Sequence, residues 1–280
     1  MEALITDPYR DFRQAVDRPE ENIDLGRAAL TIAQTEYPDL DIANFLSRID
    51  GLAVEVARRC PVDADVYRTI AALNYVLFSQ HGYRGNDKDY YDPKNSFLNQ
   101  VIERKTGIPI ALSVLYMEVA QRAGLGLDGV GFPGHFLVKH IRNGDEIIID
   151  PFNRGEIKSR EDLGKMLYDL YDGKVALSAE LLQAASKKQI LKRLLTNLKV
   201  IYIKHNELVK GLSVLDRLVI LEPASAADIR DRGAIYLRLE CFAQAREDFE
   251  RYLRLAPNAT DAVEVREQVV SLAKEVSRVH

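Results

Sequence analysis

The C-terminal third of the chain matches itself at an offset of 34 residues. Leu221-Glu222-Pro223 recurs as Leu255-Ala256-Pro257, and Tyr202 matches Tyr236 at the same offset. A self-match at a period of this length is typical of helix pairs that stack on their neighbours, because one pair cannot bury its apolar face alone. The region from about residue 184 to residue 280 is therefore predicted to be all helical.

The residues at the repeated positions indicate which kind of helix pair this is. Small, aromatic, small, aromatic and proline positions follow one another in the order of a tetratricopeptide repeat, at Gly233, Tyr236, Ala245, Phe249 and Pro257. Small residues let two helices approach, and aromatic side chains fill the space between them. We therefore predict tetratricopeptide helix pairs in residues 184–280, with Tyr236 and Phe249 buried. Lys199, at the position that matches Gly233, departs from the pattern.

Composition excludes several classes of protein. The chain has 280 residues, is 47% hydrophobic and 29% charged, and carries a net charge of −4, so neither nucleic acid nor a membrane surface is an expected partner. No apolar run is long enough to span a bilayer, and the first residues lack the pattern of a secretory signal. Cys60 and Cys241 lack metal-ligand spacing, so we expect a cytoplasmic protein without metal or cofactor.

Residues 1–183 are predicted to form an α+β domain. Apolar residues recur at helical spacing through the first 80 residues, with a break at Pro38, a helix end at Cys60-Pro61 and a possible helix cap at Asp63. A further helix is predicted over 110–122, with Pro109 in its first turn. Short β-rich runs then flank Asn143-Gly144, which is a strong hairpin signal, so the helices are expected to precede a small antiparallel sheet.

The hairpin brings two polar residues together. Around Asn143-Gly144, positions whose numbers sum to about 287 should face each other, which puts His135, at the start of one strand, near Asp150, at the end of the next. A histidine oriented by a carboxylate forms two-thirds of a nucleophilic triad. The alternative is a structural histidine with a capping aspartate. His140 should point to the opposite face, so a shared metal ion is not expected.

The third member of such a triad would stand at the N-terminus of the 110–122 helix, where the helix dipole lowers the pKa of a thiol. This chain has Ile108-Pro109-Ile110 there, so we predict that Pro109 faces His135 and that no thiol lies beside the imidazole. Ser113 is a possible nucleophile, although a serine inside a helix commonly bonds the carbonyl one turn back.

The segment from His81 to Ser96 is rich in glycine, asparagine and charged residues and predicts a long ordered loop. It is either a solvated connection or a wall of a binding groove formed by Tyr83, Tyr90 and Tyr91. Asn95 and Asn99, in the polar segment that follows, are further candidate binding residues.

Several motifs in order resemble the bacterial SirB1 family, which combines a transglutaminase-like domain with C-terminal tetratricopeptide repeats. They are Asn95–Asn99, Lys105–Ile110, Arg122–Leu125, Gly131–Phe136 and Ile149–Phe152. The resemblance implies a papain-like α+β core in which His135 and Asp150 take the positions of base and orienter. Active transglutaminase-like enzymes begin the core helix with a cysteine, and this chain departs from them at Pro109.

Two functions remain open. The first is a non-catalytic regulatory protein that binds a protein or peptide partner through a degenerate groove and through its repeats. The second is an amide hydrolase or acyl transferase that combines His135 and Asp150 with an unconventional nucleophile or an activated water. A hydroxyl or thiol within hydrogen-bond reach of His135 in an open cleft would favour the enzyme.

Overall fold

Residues 7–61, 63–142 and 144–279 are described by a computed structural model of the chain. Contacts between residues divide it into a first unit, residues 14–194, and a second unit, which joins residues 7–13 to residues 195–279. The predicted division lay after residue 183 and assigned the whole N-terminus to the first unit. The observed division differs because Tyr9 and Phe12 pack against Arg217 of the second unit.

Helices form the N-terminal part of the chain, as predicted. They are α1 (Arg10–Val16), α2 (Leu25–Ala33), α3 (Ile42–Arg59) and α4 (Val66–Asn74), and a π-helical stretch follows at Tyr75–Gln80. The aspartates that precede α2, α3 and α4 each accept a hydrogen bond from the amide three residues further on. The suggested cap at Asp63 is wrong, because Asp65 stands directly before the first helical residue, Val66.

The central helix of the first unit is α6 (Pro109–Arg122), which follows the short α5 (Leu98–Arg104). Every residue of α6 from Pro109 to Ala120 is buried, including Ser113 and Glu118. A helix that is apolar on nearly all sides belongs in the middle of a domain, because no face of it suits contact with water. Pro109 occupies the first helical position, as predicted, where a missing N–H costs no helical hydrogen bond.

A five-stranded antiparallel sheet follows α6. Its strands are β3 (Asp128–Val130), β4 (Leu137–Arg142), β5 (Asp145–Asp150), β6 (Glu156–Lys158) and β7 (Ala184–Ala185), in the spatial order β6-β5-β4-β3-β7. In the β4–β5 hairpin Val138 pairs with Ile149 and His140 with Ile147, which is the predicted register. Of the predicted turn, Asn143 lies outside the described residues, and Gly144 has a φ of +90°.

Helix α7 (Arg160–Tyr171) packs on the sheet and completes its core. Leu163 and Leu167 of α7 lie in one cluster with Val130, Leu137 and Ile148 of the strands. A capping box between Ser159 and Asp162 starts the helix. These apolar contacts hold one face of the sheet against α7.

The segment 81–96 is more ordered than a solvated connection. It contains β1 (Arg84–Gly85), which pairs in parallel with β2 (Thr106–Gly107), and a 3-10 turn at Pro93–Asn95. Tyr83 is buried, and its hydroxyl donates to the carbonyl oxygen of Ile102 at 3.4 Å. Its predicted place in a groove wall is therefore wrong, because the pairing of β1 with β2 turns it into the core.

The second unit consists of helices. After α8 (Lys187–Lys204), which crosses the division, come α9 (Leu208–Leu221), α10 (Ala226–Arg238), α11 (Phe242–Leu255) and α12 (Ala262–Val279). Phe249 is buried and Tyr236 packs partly buried against the same cluster. A Cβ on Gly233 would lie 2.9 Å from the Phe249 ring, so the small residue is required there. Lys199, the departure from the pattern, donates to Asp228 and Asp231 at 2.8 and 3.0 Å.

Candidate functional site

His135 lies in a turn rather than on a strand. The turn runs from Phe132 to His135, closes with a hydrogen bond from the His135 amide to the Phe132 carbonyl at 3.0 Å, and contains Gly134 with a φ of +67°. Strand β4 begins two residues later, at Leu137, so the prediction that His135 starts the strand is wrong. The tight turn needs the left-handed conformation that glycine adopts without strain, and this interrupts the strand pairing.

Asp150 is the fully buried end of β5 and organises the turn that follows it. Its Oδ1 accepts hydrogen bonds from the amides of Phe152 and Asn153 at 3.1 and 3.2 Å, and its Oδ2 accepts one from Asn153 Nδ2 at 2.7 Å. His135 Nε2 lies 2.9 Å from the same Oδ1. The structure therefore brings His135 and Asp150 into the contact that the hairpin register predicts.

The electrostatics of Asp150 set the tautomer of His135. Burial alone would raise the pKa of Asp150, but the hydrogen bond and charge of His135, together with the donors of Asn153, outweigh it and hold that pKa below its usual value. An ionised carboxylate only accepts hydrogen bonds, so Nε2 of His135 carries a proton. In the neutral ring the lone pair is then on Nδ1, which has no hydrogen-bond partner among the described residues. That nitrogen can act as an acceptor or as a general base.

Phe152 packs on the imidazole, and Leu170 packs on the turn that carries it. The ring of Phe152 stands edge-on to His135 with 5.7 Å between the ring centres, and it fills the space beside Gly85, where a Cβ would lie 2.5 Å from it. Leu170 of α7 packs on the neighbouring Gly134, 2.9 Å from where a Cβ would stand. His135 keeps 12% of its side-chain surface exposed, so the imidazole is partly covered and still reachable.

Arg193 holds the His135 turn in place, and the sequence carried no signal for it. Its guanidinium donates to the carbonyl oxygens of His135 at 2.6 Å and of Phe132 at 3.3 Å, and it stands 5.5 Å from the centre of the Phe136 ring. Burial lowers the pKa of Arg193, and the ionised form of Tyr90 would act in the opposite direction. An arginine that fastens two carbonyls of one turn restricts the orientation of the histidine within it.

The first turn of α6 offers no nucleophile. Ile108, Pro109 and Ile110 are all buried, and Ile108 precedes the helix without a side-chain cap. Ser113 is completely buried, and its Oγ donates to the carbonyl oxygen of Phe136 at 3.5 Å. The expected bond to a carbonyl one turn back is wrong, because the hydroxyl faces the β4 side instead. This contact also shows that α6 lies beside the residue that follows His135.

The thiols are elsewhere in the described structure. Cys60 ends α3 and shares no hydrogen bond with His135, and Cys241 belongs to the second unit, where its Sγ contacts the carbonyl oxygen of Leu239 at 3.6 Å.

The remaining predicted binding residues divide into two groups. Asn95 is fully buried and anchors the loop: its Nδ2 donates to the Asp89 carbonyl at 2.7 Å, and its Oδ1 accepts from Asn86 at 3.1 Å. Asn99 is buried too, and its Oδ1 has no partner in the described structure. Tyr90 and Tyr91 are exposed by 39% and 54%, and their rings meet edge-on at 5.4 Å.

Arg193, which holds the His135 turn, acts electrostatically on Tyr90. Burial raises the pKa of Tyr90, and the positive charge of Arg193 acts against that rise, as expected for neighbouring groups. Tyr90, Tyr91 and Leu170, whose exposed fraction is 50%, therefore supply apolar surface on the same unit as the His135 turn. We call these three residues the rim.

No group of three or more potential metal ligands occurs within the described ranges. His140 has a different partner, since its Nδ1 lies 2.9 Å from the Gly126 carbonyl oxygen. Of the helices in residues 7–61, 63–142 and 144–279, none is long and apolar enough to cross a membrane.

An α+β unit with a histidine–aspartate pair beside a central helix, followed by stacked helix pairs, defines a transglutaminase-like protein with tetratricopeptide repeats. Family models agree: residues 43–196 match the transglutaminase-like superfamily and residues 198–270 match a tetratricopeptide repeat. A UPF0162 protein of Xylella fastidiosa is 39% identical over 265 residues, which cover 93% of this chain and 94% of that protein. The chain therefore belongs to the transglutaminase-like superfamily and, within it, to the UPF0162 proteins.

More distant relatives divide into those that span the whole chain and those that do not. The UPF0162 protein YchA of Escherichia coli is 26% identical over 245 residues, covering 85% of this chain and 87% of that protein. F-box only protein 21 of Homo sapiens is 32% identical over 139 residues, which cover 47% of this chain and 21% of that protein. No solved structure matches the chain.

Proposed function

We propose that this protein is a non-catalytic, regulatory binding module whose first unit recognises a peptide segment at the His135 turn and the rim. The observation that carries the proposal is the first turn of α6. It holds buried Ile108, Pro109 and Ile110 where an enzyme of this class needs a thiol, while the His135–Asp150 pair is retained. A binding role for the second unit is supported by its repeats, which commonly bind protein partners.

The site has the groups that a peptide needs. A partly exposed imidazole with a free Nδ1 can form a hydrogen bond with a peptide N–H, and the rim offers apolar surface for a side chain. Exposed aromatic residues are common in protein interfaces because they bury a large area at a small entropic cost. We further propose that the chain is a member of the SirB1 family and acts in the cytoplasm.

A site-specific photo-cross-linker tests the proposal. Benzoylphenylalanine is placed at Tyr90, and at Tyr67, which is 57% exposed on α4, as the matched control. Irradiation of living cells should give an adduct from Tyr90 and none from Tyr67. The captured protein is then purified and titrated by calorimetry against the wild type, Leu170→Ser and Val209→Ser. We expect Leu170→Ser to weaken binding and Val209→Ser, at an exposed residue of the second unit, to leave it unchanged. Equal affinity for all three proteins would refute a binding site at the rim.

The His135–Asp150 pair favours a second candidate function. In that function the protein is an amide hydrolase or acyl transferase that uses an activated water. Wild type, His135→Gln and His140→Gln are compared for hydrolysis of a panel of chromogenic amides and thioesters. The binding-module proposal expects no activity that depends on His135. A rate that His135→Gln abolishes and His140→Gln preserves would establish the enzyme instead.

The position of Pro109 can be tested by restoring a thiol. If Pro109 faces His135, the cysteine of Pro109→Cys stands at a helix N-terminus beside an imidazole, and both lower the pKa of a thiol. The thiolate of this cysteine, followed by its ultraviolet absorbance, should then persist to lower pH than in the same variant with the added His135→Ala substitution. An unchanged titration of the thiol in that double variant would refute the predicted proximity.

A further inference from the structure

Residues 7–13, which we call the N-terminal segment, belong to the second unit through two aromatic anchors. Tyr9 donates from its hydroxyl to Asp216 Oδ2 at 2.7 Å, and Phe12 is buried with 1% of its surface exposed. The residues that receive them are on α9, more than 200 positions further along the chain. Burial, followed by the hydrogen bond to Asp216, raises the pKa of Tyr9 to about 12, so its hydroxyl stays a donor at neutral pH.

Both rings cover one arginine. The guanidinium of Arg217 is 4.9 Å from the centre of the Tyr9 ring and 5.9 Å from that of Phe12, and the residue is 2% exposed. Its NH1 donates to Ser213, to the carbonyl oxygen at 3.0 Å and to Oγ at 2.7 Å. These contacts match the preference of a cation for the faces of aromatic rings.

The arginine remains incompletely paired. Its buried Nε has no hydrogen-bond partner among the described residues, and no carboxylate there forms an ion pair with it. The neighbouring Asp216 is engaged by Tyr9 and by Arg232, whose NH1 lies 2.9 Å from Asp216 Oδ1. A buried guanidinium normally has a carboxylate or carbonyl on every accessible N–H, because leaving one unpaired is unfavourable. The N-terminal segment thus covers Arg217 but supplies no acceptor for its Nε.

We propose that Ser213, Asp216 and Arg217 form a peptide-binding site of the second unit that residues 7–13 occupy in cis. Its partner is a protein segment with two aromatic residues three positions apart, like Tyr9 and Phe12, and with a carboxylate that pairs with Arg217. Such a segment keeps both ring contacts and adds the acceptor that Nε lacks, so it can displace the segment of this chain. The inference deepens the proposed binding function but does not depend on the His135 turn.

The test uses a peptide of the chain's own sequence, DPYRDFR, which corresponds to Asp7–Arg13. A fluorescein-labelled form is titrated with the full-length wild type and with the double variant Tyr9→Ala and Phe12→Ala, and binding is read by fluorescence anisotropy. A segment tethered in cis competes with the free peptide, so the double variant should bind at least about tenfold more tightly than the wild type. Equal binding by the two proteins, or none by either, would overturn the proposal.

Matched substitutions define the site. Arg217→Gln in the double variant should abolish binding, whereas Arg246→Gln, at a half-exposed arginine of α11, should leave it unchanged. His135→Ala should also leave peptide binding unchanged, which separates failure of this inference from failure of the first-unit proposal. A second peptide, with glutamate in place of the arginine at position 10, tests the carboxylate. It should bind more tightly than DPYRDFR if an acid reaches Arg217. Weaker binding of every peptide with glutamate at position 8, 10 or 13 would exclude the role of a carboxylate.

If the double variant fails to fold, as judged by circular dichroism, Tyr9→Phe replaces it. This substitution keeps the ring over Arg217 and removes only the hydrogen bond to Asp216. It should raise the affinity of the free peptide several-fold over wild type, since the cis contact is weaker. If Tyr9→Phe folds and binds the free peptide no more tightly than the wild type does, the proposal is contradicted.

Discussion

Replacing Asp150 by alanine should destabilise the first unit more than any other single change at the site. Four donors lose their acceptor: His135 Nε2, the amides of Phe152 and Asn153, and the side-chain amide of Asn153. The two backbone donors are held by the turn and cannot rotate toward water. Hydrogen bonds to charged groups contribute about 1.5–3 kcal/mol each, and His135 can recover part of its loss because it is partly exposed. The expected cost is about 3–5 kcal/mol, the range for breaking a buried ion pair.

His135→Ala provides the comparison. It removes one donor from Asp150 and leaves the other three in place, so its expected cost is about 1–2 kcal/mol. Urea unfolding followed by circular dichroism measures both variants. Hydrogen exchange of peptides from β5 and from α11 assigns the effect to one unit. If Asp150→Ala cost less than about 1 kcal/mol, or no more than His135→Ala, the carboxylate would not be the organiser of this turn.

The pH dependence follows from the lowered pKa of Asp150. A carboxyl group with a lowered folded-state pKa contributes stability above its unfolded value, about 3.9, and loses it as the pH falls through the folded value. The difference in stability between the wild type and Asp150→Asn should thus be constant near neutral pH and shrink below about pH 4. A difference that grows on acidification would contradict the charged state assigned to Asp150.

Four further outcomes are expected. Phe249→Ala should cost about 3–5 kcal/mol in urea unfolding because a buried aromatic leaves a cavity, and Gly233→Ala should also destabilise because its methyl group meets the Phe249 ring. The stability that Tyr9 contributes should be constant up to about pH 10 and be lost as the pH rises toward 12, because its folded pKa is the higher one; Tyr9→Phe should remove that dependence. Substituting both Cys60 and Cys241 by serine, or alkylating them, should leave partner binding unchanged in the calorimetric assay.

Local patterns in the chain were enough to predict several parts of the molecule. The 34-residue self-match specifies the helix pairs of the second unit and the burial of Phe249, because both depend on spacing along consecutive helices. The hairpin count specifies that Asp150 lies beside His135, since the register of two strands joined by a short turn follows from residue number. The position of Pro109 in the first turn of α6 was likewise predictable, because the preference of proline for that turn is local.

Contacts between distant residues decided the rest. Arg193 fastens the His135 turn from 58 positions away, and Tyr9 reaches Asp216 across 207 positions. Pairing of β1 with β2 buries Tyr83, while Tyr90 stays at the surface. None of these contacts can be predicted from the spacing of residues along the chain. Each depends on which surfaces meet after the helices and strands have packed. The amino-acid sequence alone determined the elements, the repeat and the histidine–aspartate pair. Only the tertiary structure decided what surrounds that pair and what covers Arg217, because burial and hydrogen-bond partners of single side chains are properties of the packed chain.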